Sequence, residues 1–349
     1  MGMQADSIAT EMQSILDQLV TDGKSPAVFA AVGGVDIETV VICSGKRQAG
    51  KDVPVSIDDL VHIGSCTKAM TAAMIGRLVD QGKLNWDDTI AMRLSDVAKR
   101  IDSSWHNKTL VQLLSHTAGV PHDPKMWWGG KGDTVSEKRN NIIATTLKEP
   151  RTGEIPDWDY SNLGVMIAGQ MAAETMGCTW EELITRELFE PLQMTTAGFG
   201  PPGDRDRADQ PWGHTVNDKG EFHPMYHDNA PALGPAGRVH LSMADWIRFT
   251  KIFLESDKDG FLSSETRSRL TSPLASDYAL GWIVVERPWG NGTVLTHGGS
   301  NTMWMATCWI APKTGRSYLV VVNYGGGESA QLVDQVVGHM IALERDHEK

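Results

Sequence analysis

The 349-residue sequence predicts an α/β (α+β) fold in which one antiparallel sheet is flanked by helices and interrupted by an all-helical insertion. Three observations carry this. Two strand-like runs follow an amphipathic helix near the N-terminus, and four more strand-like runs precede a final helix. The stretch between them is helical and loop-rich, with few strand signals. Joining both ends in one sheet makes a discontinuous α/β unit of residues 1–83 and 235–349. Residues 84–234 then form a mainly helical insertion whose long loops wall a site.

Taken in order, Ile8, Met12, Ile15, Leu16 and Leu19 recur at spacings near three and four, which predicts a helix over about 7–20. Residues 27–32 and 39–43, separated by Gly33-Gly34, predict a hairpin. The apolar run ending at Gly64 leads into a helix that starts at Ser65, runs to about Gln81 and stops at Gly82. In the middle, residues 110–114, 163–176 and 180–189 read as helices, and Gly177 follows the second of them. Residues 201–235, rich in Pro, Gly, Asp and His, read as a long ordered loop. Residues 243–254 read as a helix. The runs 279–285, 293–296, 303–310 and 318–323 form a meander, and a helix over about 329–343 closes the chain.

Composition narrows the function. The hydrophobic content of 41% is that of a globular protein, and the net charge of -12 argues against a nucleic-acid partner. The four cysteines, Cys43, Cys66, Cys178 and Cys308, have the spacing of neither a zinc site nor a disulfide framework and read as free thiols. His214, His223 and His227 near Asp228 match no metal-binding pattern, so neither metal nor cofactor is expected. No stretch is apolar enough to span a membrane. The segment from Met1 to Ser7 lacks the regions of a signal peptide. The chain as written reads as cytoplasmic, and as periplasmic or secreted if a leader preceded it. The sequence leaves the oligomeric state open.

Three short motifs carry chemistry. In Ser65-Cys66-Thr67-Lys68 the spacing of three puts the lysine amine on the helical face of the serine hydroxyl. A serine becomes nucleophilic when a neighbouring base takes its proton, and a desolvated lysine is such a base. Tyr160-Ser161-Asn162 offers a phenol, able to relay protons, and a carboxamide, able to hold a substrate carbonyl or the lysine. His297-Gly298-Gly299-Ser300 ends a strand, where glycines let a substrate backbone approach. The backbone N–H groups of Ser65 and Ser300 would form an oxyanion hole, and His297 would donate to substrate or to Tyr160.

Together these motifs resemble the serine β-lactamase and penicillin-binding-protein superfamily, nearest to its class C β-lactamase, D-alanyl-D-alanine peptidase and family VIII esterase branch. That superfamily carries Ser-x-x-Lys, then Ser-Asp-Asn or Tyr-x-Asn, then Lys-Thr-Gly. The stretches 113–120, 234–239 and 82–88 are also family-like. The resemblance implies a β-lactamase-like fold and acyl-enzyme chemistry by Ser65, with Lys68 and Tyr160 sharing the base role and Asn162 and His297 orienting the reactants. The literal Lys313-Thr314-Gly315 falls in a turn with one strand left after it, so His297-Gly298-Gly299 takes the place of the third motif. The lysine cation that helps hold a substrate carboxylate is then lost, and Arg238 is the candidate to replace it. The expected substrate is a small acyl compound: an ester first, then a D-peptide or a β-lactam. Acyl transfer to an alcohol or amine, or a sensor that acylates without turnover, are the alternatives.

Overall fold

Val28, Ala30 and Val32 alternate with Ala27, Phe29 and Ala31, and the two sets are buried in different cores. Leu319 and Val321 alternate in the same way with Tyr318, Val320 and Val322. Side chains of period two point to opposite faces, so both faces of these strands are covered and their sequences read as nearly unbroken apolar runs. In the computed structural model, residues 2–35, 37–150, 157–254 and 260–347 are described, with side chains between residues 9 and 345. The apolar position expected at Ile8 therefore lies outside the described side chains, as does Met1.

The chain opens with α1 (Gly2–Thr21), then β1 (Ala27–Gly34) and β2 (Val40–Gly45). A short β3 (Leu60–His62) and a 3₁₀ turn lead into α2 (Thr67–Asp80). Next come α3 (Ile90–Arg93), α4 (Ser95–Ala98), α5 (Leu110–Leu114), α6 (Val135–Thr146), α7 (Asn162–Met176) and α8 (Trp180–Ile184), which continues as a π-helical turn to Phe189. The short strands β4 (Gly198–Phe199), β5 (Gly213–Val216) and β6 (Phe222–Met225) precede α9 (Gly234–Gly237). The chain then forms β7 (Val239–Ser242), α10 (Met243–Lys251) and α11 (Ser264–Thr271). It finishes with β8 (Ile283–Arg287), β9 (Gly292–Ser300), β10 (Met305–Ala311), β11 (Arg316–Val322) and α12 (Ser329–His347).

The main sheet has the order β2-β1-β11-β10-β9-β8, every pair antiparallel, so both chain ends share it as expected. Met12 and Leu16 of α1 and Leu332, Val336 and Met340 of α12 cover one face. The larger core on the other face includes α2, α7 and α10.

The middle of the chain is not purely helical. Residues 201–235, expected as loop, contain the β5–β6 hairpin and the start of α9. A second sheet, β3-β7-β4, ties the approach to Ser65 to the segment after α9. The helices α3, α4, α6 and α11 were not anticipated. Thr134 and Glu137 close a capping box on α6, a signal readable in the sequence.

Candidate active site

Ser65 lies in the 3₁₀ turn Gly64–Cys66 that leads into α2, where the sequence predicted the start of the helix itself. Its place depends on two glycines. Gly64 has φ +49, and a Cβ there would lie 2.7 Å from the Gly299 carbonyl carbon and closer to the Ser300 nitrogen. A Cβ on Gly299 would lie 2.8 Å from the Ser65 nitrogen and would overlap the Ile63 carbonyl oxygen. Both substitutions would meet backbone. The close approach of the turn to the end of β9 sets the Ser65 and Ser300 backbone nitrogens near one another, the arrangement an oxyanion hole requires.

Lys68 follows on the same face of the turn. Its Nζ is 2.9 Å from Ser65 Oγ and 2.8 Å from the Ala236 carbonyl of α9, and its side chain is fully buried. Burial, only partly offset by Cys66 and Asp123, pulls its pKa from 10.5 to about 7. A large fraction of Lys68 is therefore neutral near pH 7. One N–H is donated to Ala236, and the same amine, when neutral, is within reach to accept from the Ser65 hydroxyl.

Tyr160 precedes α7, whose N-terminus is capped by Ser161: Ser161 Oγ accepts from the Gly164 N–H at 2.8 Å and donates to the Pro121 carbonyl at 2.6 Å. The Tyr160 ring centroid is 4.9 Å from Lys68 Nζ and 4.5 Å from the His116 ring. Burial pushes the Tyr160 phenol well above its ordinary range, against the opposing effect of its hydrogen bond with Ser65. The base role expected for Tyr160 is thus disfavoured: its phenol keeps its proton, and the neutral Lys68 amine is the better acceptor.

Three expected partners are arranged differently. The Asn162 amide donates to Asp123 Oδ1 at 3.0 Å, at the rim of the site, in place of holding Lys68. His297 faces Tyr278 and not Tyr160. Its Nδ1–H donates to the Gly298 carbonyl at 2.6 Å, which leaves Nε2 to accept from Tyr278 Oη at 3.0 Å. Burial, with Lys68 nearby, lowers the His297 pKa to about 4, so the ring is neutral where the family motif has a lysine. Arg238 forms an ion pair with Asp228 at 3.2 Å. Burial would raise the Asp228 pKa, but His62, Asn301 and Arg238 overcome it and hold the carboxyl at about 2. The Arg238 charge is spent inside this cluster and borders a separate cavity near Trp128 and His227.

Lys313-Thr314-Gly315 joins β10 to β11, while His297-Gly298-Gly299 lies on β9. The three clustered histidines go to different places. His214 is buried between Asn323 and Ala49, His223 contacts Asn217, and His227 stacks on Trp128.

Beside these residues opens a cleft of about 540 Å³. Trp158, Tyr160, Tyr278, Ile283 and Met305 form its sides, and Gly298 to Ser300 its edge. Tyr278, Trp158 and His116 had no assigned role in the sequence reading. Trp158 stands two residues before Tyr160, and His116 lies in the quoted 113–120 stretch. Its Nδ1 accepts from the Ser161 N–H at 3.1 Å, which braces the Tyr160 segment. Tyr278 follows a turn and carries no motif that would flag it.

The sequence profile of the Beta-lactamase family matches residues 12–338. Penicillin-binding protein 4 of Amycolatopsis lactamdurans is 27% identical over 291 residues, covering 81% of this chain and 74% of that protein. D-alanyl-D-alanine-carboxypeptidase/endopeptidase AmpH of Escherichia coli (strain K12) is 23% identical over 324 residues, covering 88% and 78%. Among solved structures, D-amino acid amidase from Ochrobactrum anthropi SV3 superposes with a TM-score of 0.80 at 20% identity, covering 98% of this chain and 100% of that one. At that identity the likeness is one of fold.

Proposed function

The chain belongs to the Beta-lactamase family of serine hydrolases, and from that premise we propose that it hydrolyses ester or amide acyl substrates through an acyl-enzyme on Ser65. The observation that carries the reading is the fully buried Lys68 amine, 2.9 Å from Ser65 Oγ with a pKa near 7. Ser65 Oγ attacks the carbonyl carbon as its proton passes to neutral Lys68. The Ser65 and Ser300 N–H groups hold the tetrahedral oxyanion. The carbon–heteroatom bond then breaks, and Tyr160 protonates the leaving group while Lys68 returns a proton to Tyr160. In the second half a water attacks the ester carbonyl, gives its proton to the same pair, and Ser65 regains a proton as it leaves.

Substrate choice follows from position 297. The neutral His297, held by Tyr278, offers no cation to a substrate carboxylate. This favours esters and amides over the carboxylate-bearing β-lactams, and a carboxylesterase is the first choice. Hydrolysis of D-amino-acid amides or peptides is the second reading, favoured by the apolar, aromatic-walled cleft beside Tyr160. The test is a panel of p-nitrophenyl esters, amino-acid amides, a D-alanyl peptide and nitrocefin, run with wild type and Ser65→Ala. Ester or amide turnover that needs Ser65 and exceeds nitrocefin turnover supports the reading. Turnover undiminished in Ser65→Ala contradicts it.

A further inference from the structure

Asp277 is the one acidic side chain, and no lysine or arginine stands with it, among the described residues lining the cleft beside Tyr160. Its placement is built into the backbone. Ser276 takes φ +54, the Tyr278 N–H donates to the Ala275 carbonyl at 3.2 Å, and the Val284 N–H donates to the Asp277 carbonyl at 2.7 Å. This turn holds Asp277 next to Tyr278. Its carboxylate is exposed and has no hydrogen bond or ion pair among the described residues. The cations considered for the active site are otherwise engaged: Lys68 with Ser65 and Ala236, and Arg238 with Asp228 beside a different cavity.

Around Asp277 the walls are aromatic. Trp158 and Tyr278 have ring centroids 5.9 Å apart, and Tyr160 and Tyr278 6.5 Å apart. Aromatic faces beside an uncommitted carboxylate suit an ammonium group, through cation–π attraction and a charge-assisted hydrogen bond. The same cleft suits an apolar side chain through Ile283 and Met305. A net charge of -12 adds a field that draws cations and repels anions.

We propose that Asp277 determines specificity by anchoring a free amino group on the acyl portion of the substrate, so that the preferred substrates are α-amino acyl esters or amides with an apolar side chain. This rests on the acyl-enzyme reading above and names its substrate class. The proposal is made for the acyl portion, which stays on Ser65 through both steps, so that an anchor for it acts on acylation and deacylation alike.

The test compares phenylalanine p-nitroanilide and p-nitrophenyl ester, in both configurations, with their N-acetyl and des-amino counterparts. Wild type, Asp277→Asn, Asp277→Glu and Ser65→Ala are assayed. The amine gives wild type an advantage in kcat/KM of about 10- to 100-fold, the worth of a charge-assisted hydrogen bond. Asp277→Asn removes that advantage while keeping turnover of the des-amino ester, and Asp277→Glu restores part of it. The amine/des-amino ratio falls as pH rises through the substrate amine's own titration, and Lys68, common to both substrates, cancels from it. Ser65-dependent hydrolysis with no amine advantage, or an advantage unchanged in Asp277→Asn, overturns the inference and leaves the acyl-enzyme reading standing. Hydrolysis unaffected by Ser65→Ala overturns both.

Discussion

Replacing Lys68 by methionine separates what the buried amine does for chemistry from what it costs the fold. The Lys68 pKa falls from 10.5 to about 7, and burial is the chief cause. At 1.36 kcal/mol per unit, the 3.5-unit difference corresponds to roughly 5 kcal/mol against holding the ammonium in the folded protein. The sign follows from proton counts. Between about pH 7 and pH 10.5 the unfolded chain carries a proton on Lys68 that the folded chain has released, so wild-type stability rises with pH in that window. Below pH 7 both states are protonated and the full penalty applies. Methionine removes the penalty but forfeits two hydrogen bonds, to Ser65 and Ala236, worth about 1 kcal/mol each. Lys68→Met is therefore more stable than wild type at pH 6 by roughly 3 kcal/mol, and that advantage shrinks to nothing or reverses by pH 10.5. Hydrolysis is lost. Urea denaturation of both proteins at pH 6, 8 and 10 reads the difference. A variant no more stable at pH 6, or an advantage that does not shrink with pH, refutes the reasoning that Lys68 is a desolvated base.

Wild-type kcat/KM on a des-amino ester climbs with pH through about 7, as Lys68 loses its proton; a flat profile from pH 5 to 9 contradicts this. Tyr160→Phe lowers amide hydrolysis by about 100-fold or more but p-nitrophenyl ester hydrolysis far less, because the phenol protonates the leaving group; equal losses on both substrates speak against that role. Gly299→Ala forces a Cβ into the Ile63 carbonyl and the Ser65 nitrogen, so it reduces kcat by about 100-fold or more, or prevents folding, as steady-state kinetics and circular dichroism report. Lys313→Ala, in the β10–β11 turn, leaves kcat/KM unchanged, and a marked loss would return Lys313-Thr314-Gly315 to consideration as the third motif.

Much of the fold was legible because its signals are long and periodic. The strands β1 and β11 are buried on both faces, so they appear as apolar runs, and α7 is apolar almost throughout with Gly177 at φ +65 beyond its end. The elements that escaped are short or lack contrast. The second sheet uses strands of two to four residues, too brief to show alternation. In β6, three exposed positions, Pro224 among them, hide a strand inside a segment that looks like loop. The α11 segment, Ser-Glu-Thr-Arg-Ser-Arg-Leu-Thr, has one buried leucine and a buried threonine to mark its inner face.

Within the site, the spacing of Ser65 and Lys68 is local geometry, so it could be read directly. The chemistry of Tyr160 could not, because burial and not its neighbour's charge sets its protonation. The partners of His297, Asn162 and Arg238 are Tyr278, Asp123 and Asp228, at sequence separations of 19, 39 and 10. Such pairings are products of tertiary packing. They turn His297 from Tyr160 to Tyr278 and engage Arg238 with Asp228.

The central claim is that Ser65 takes the acyl group with Lys68 as its base. Intact-protein and peptide mass spectrometry, after brief exposure to a fluorophosphonate probe at pH 8, tests it most directly. The account predicts a single adduct on the peptide carrying Ser65, formed in wild type, slowed strongly in Lys68→Met and absent in Ser65→Ala. An adduct on another residue, or labelling of Ser65→Ala at the wild-type rate, would contradict it.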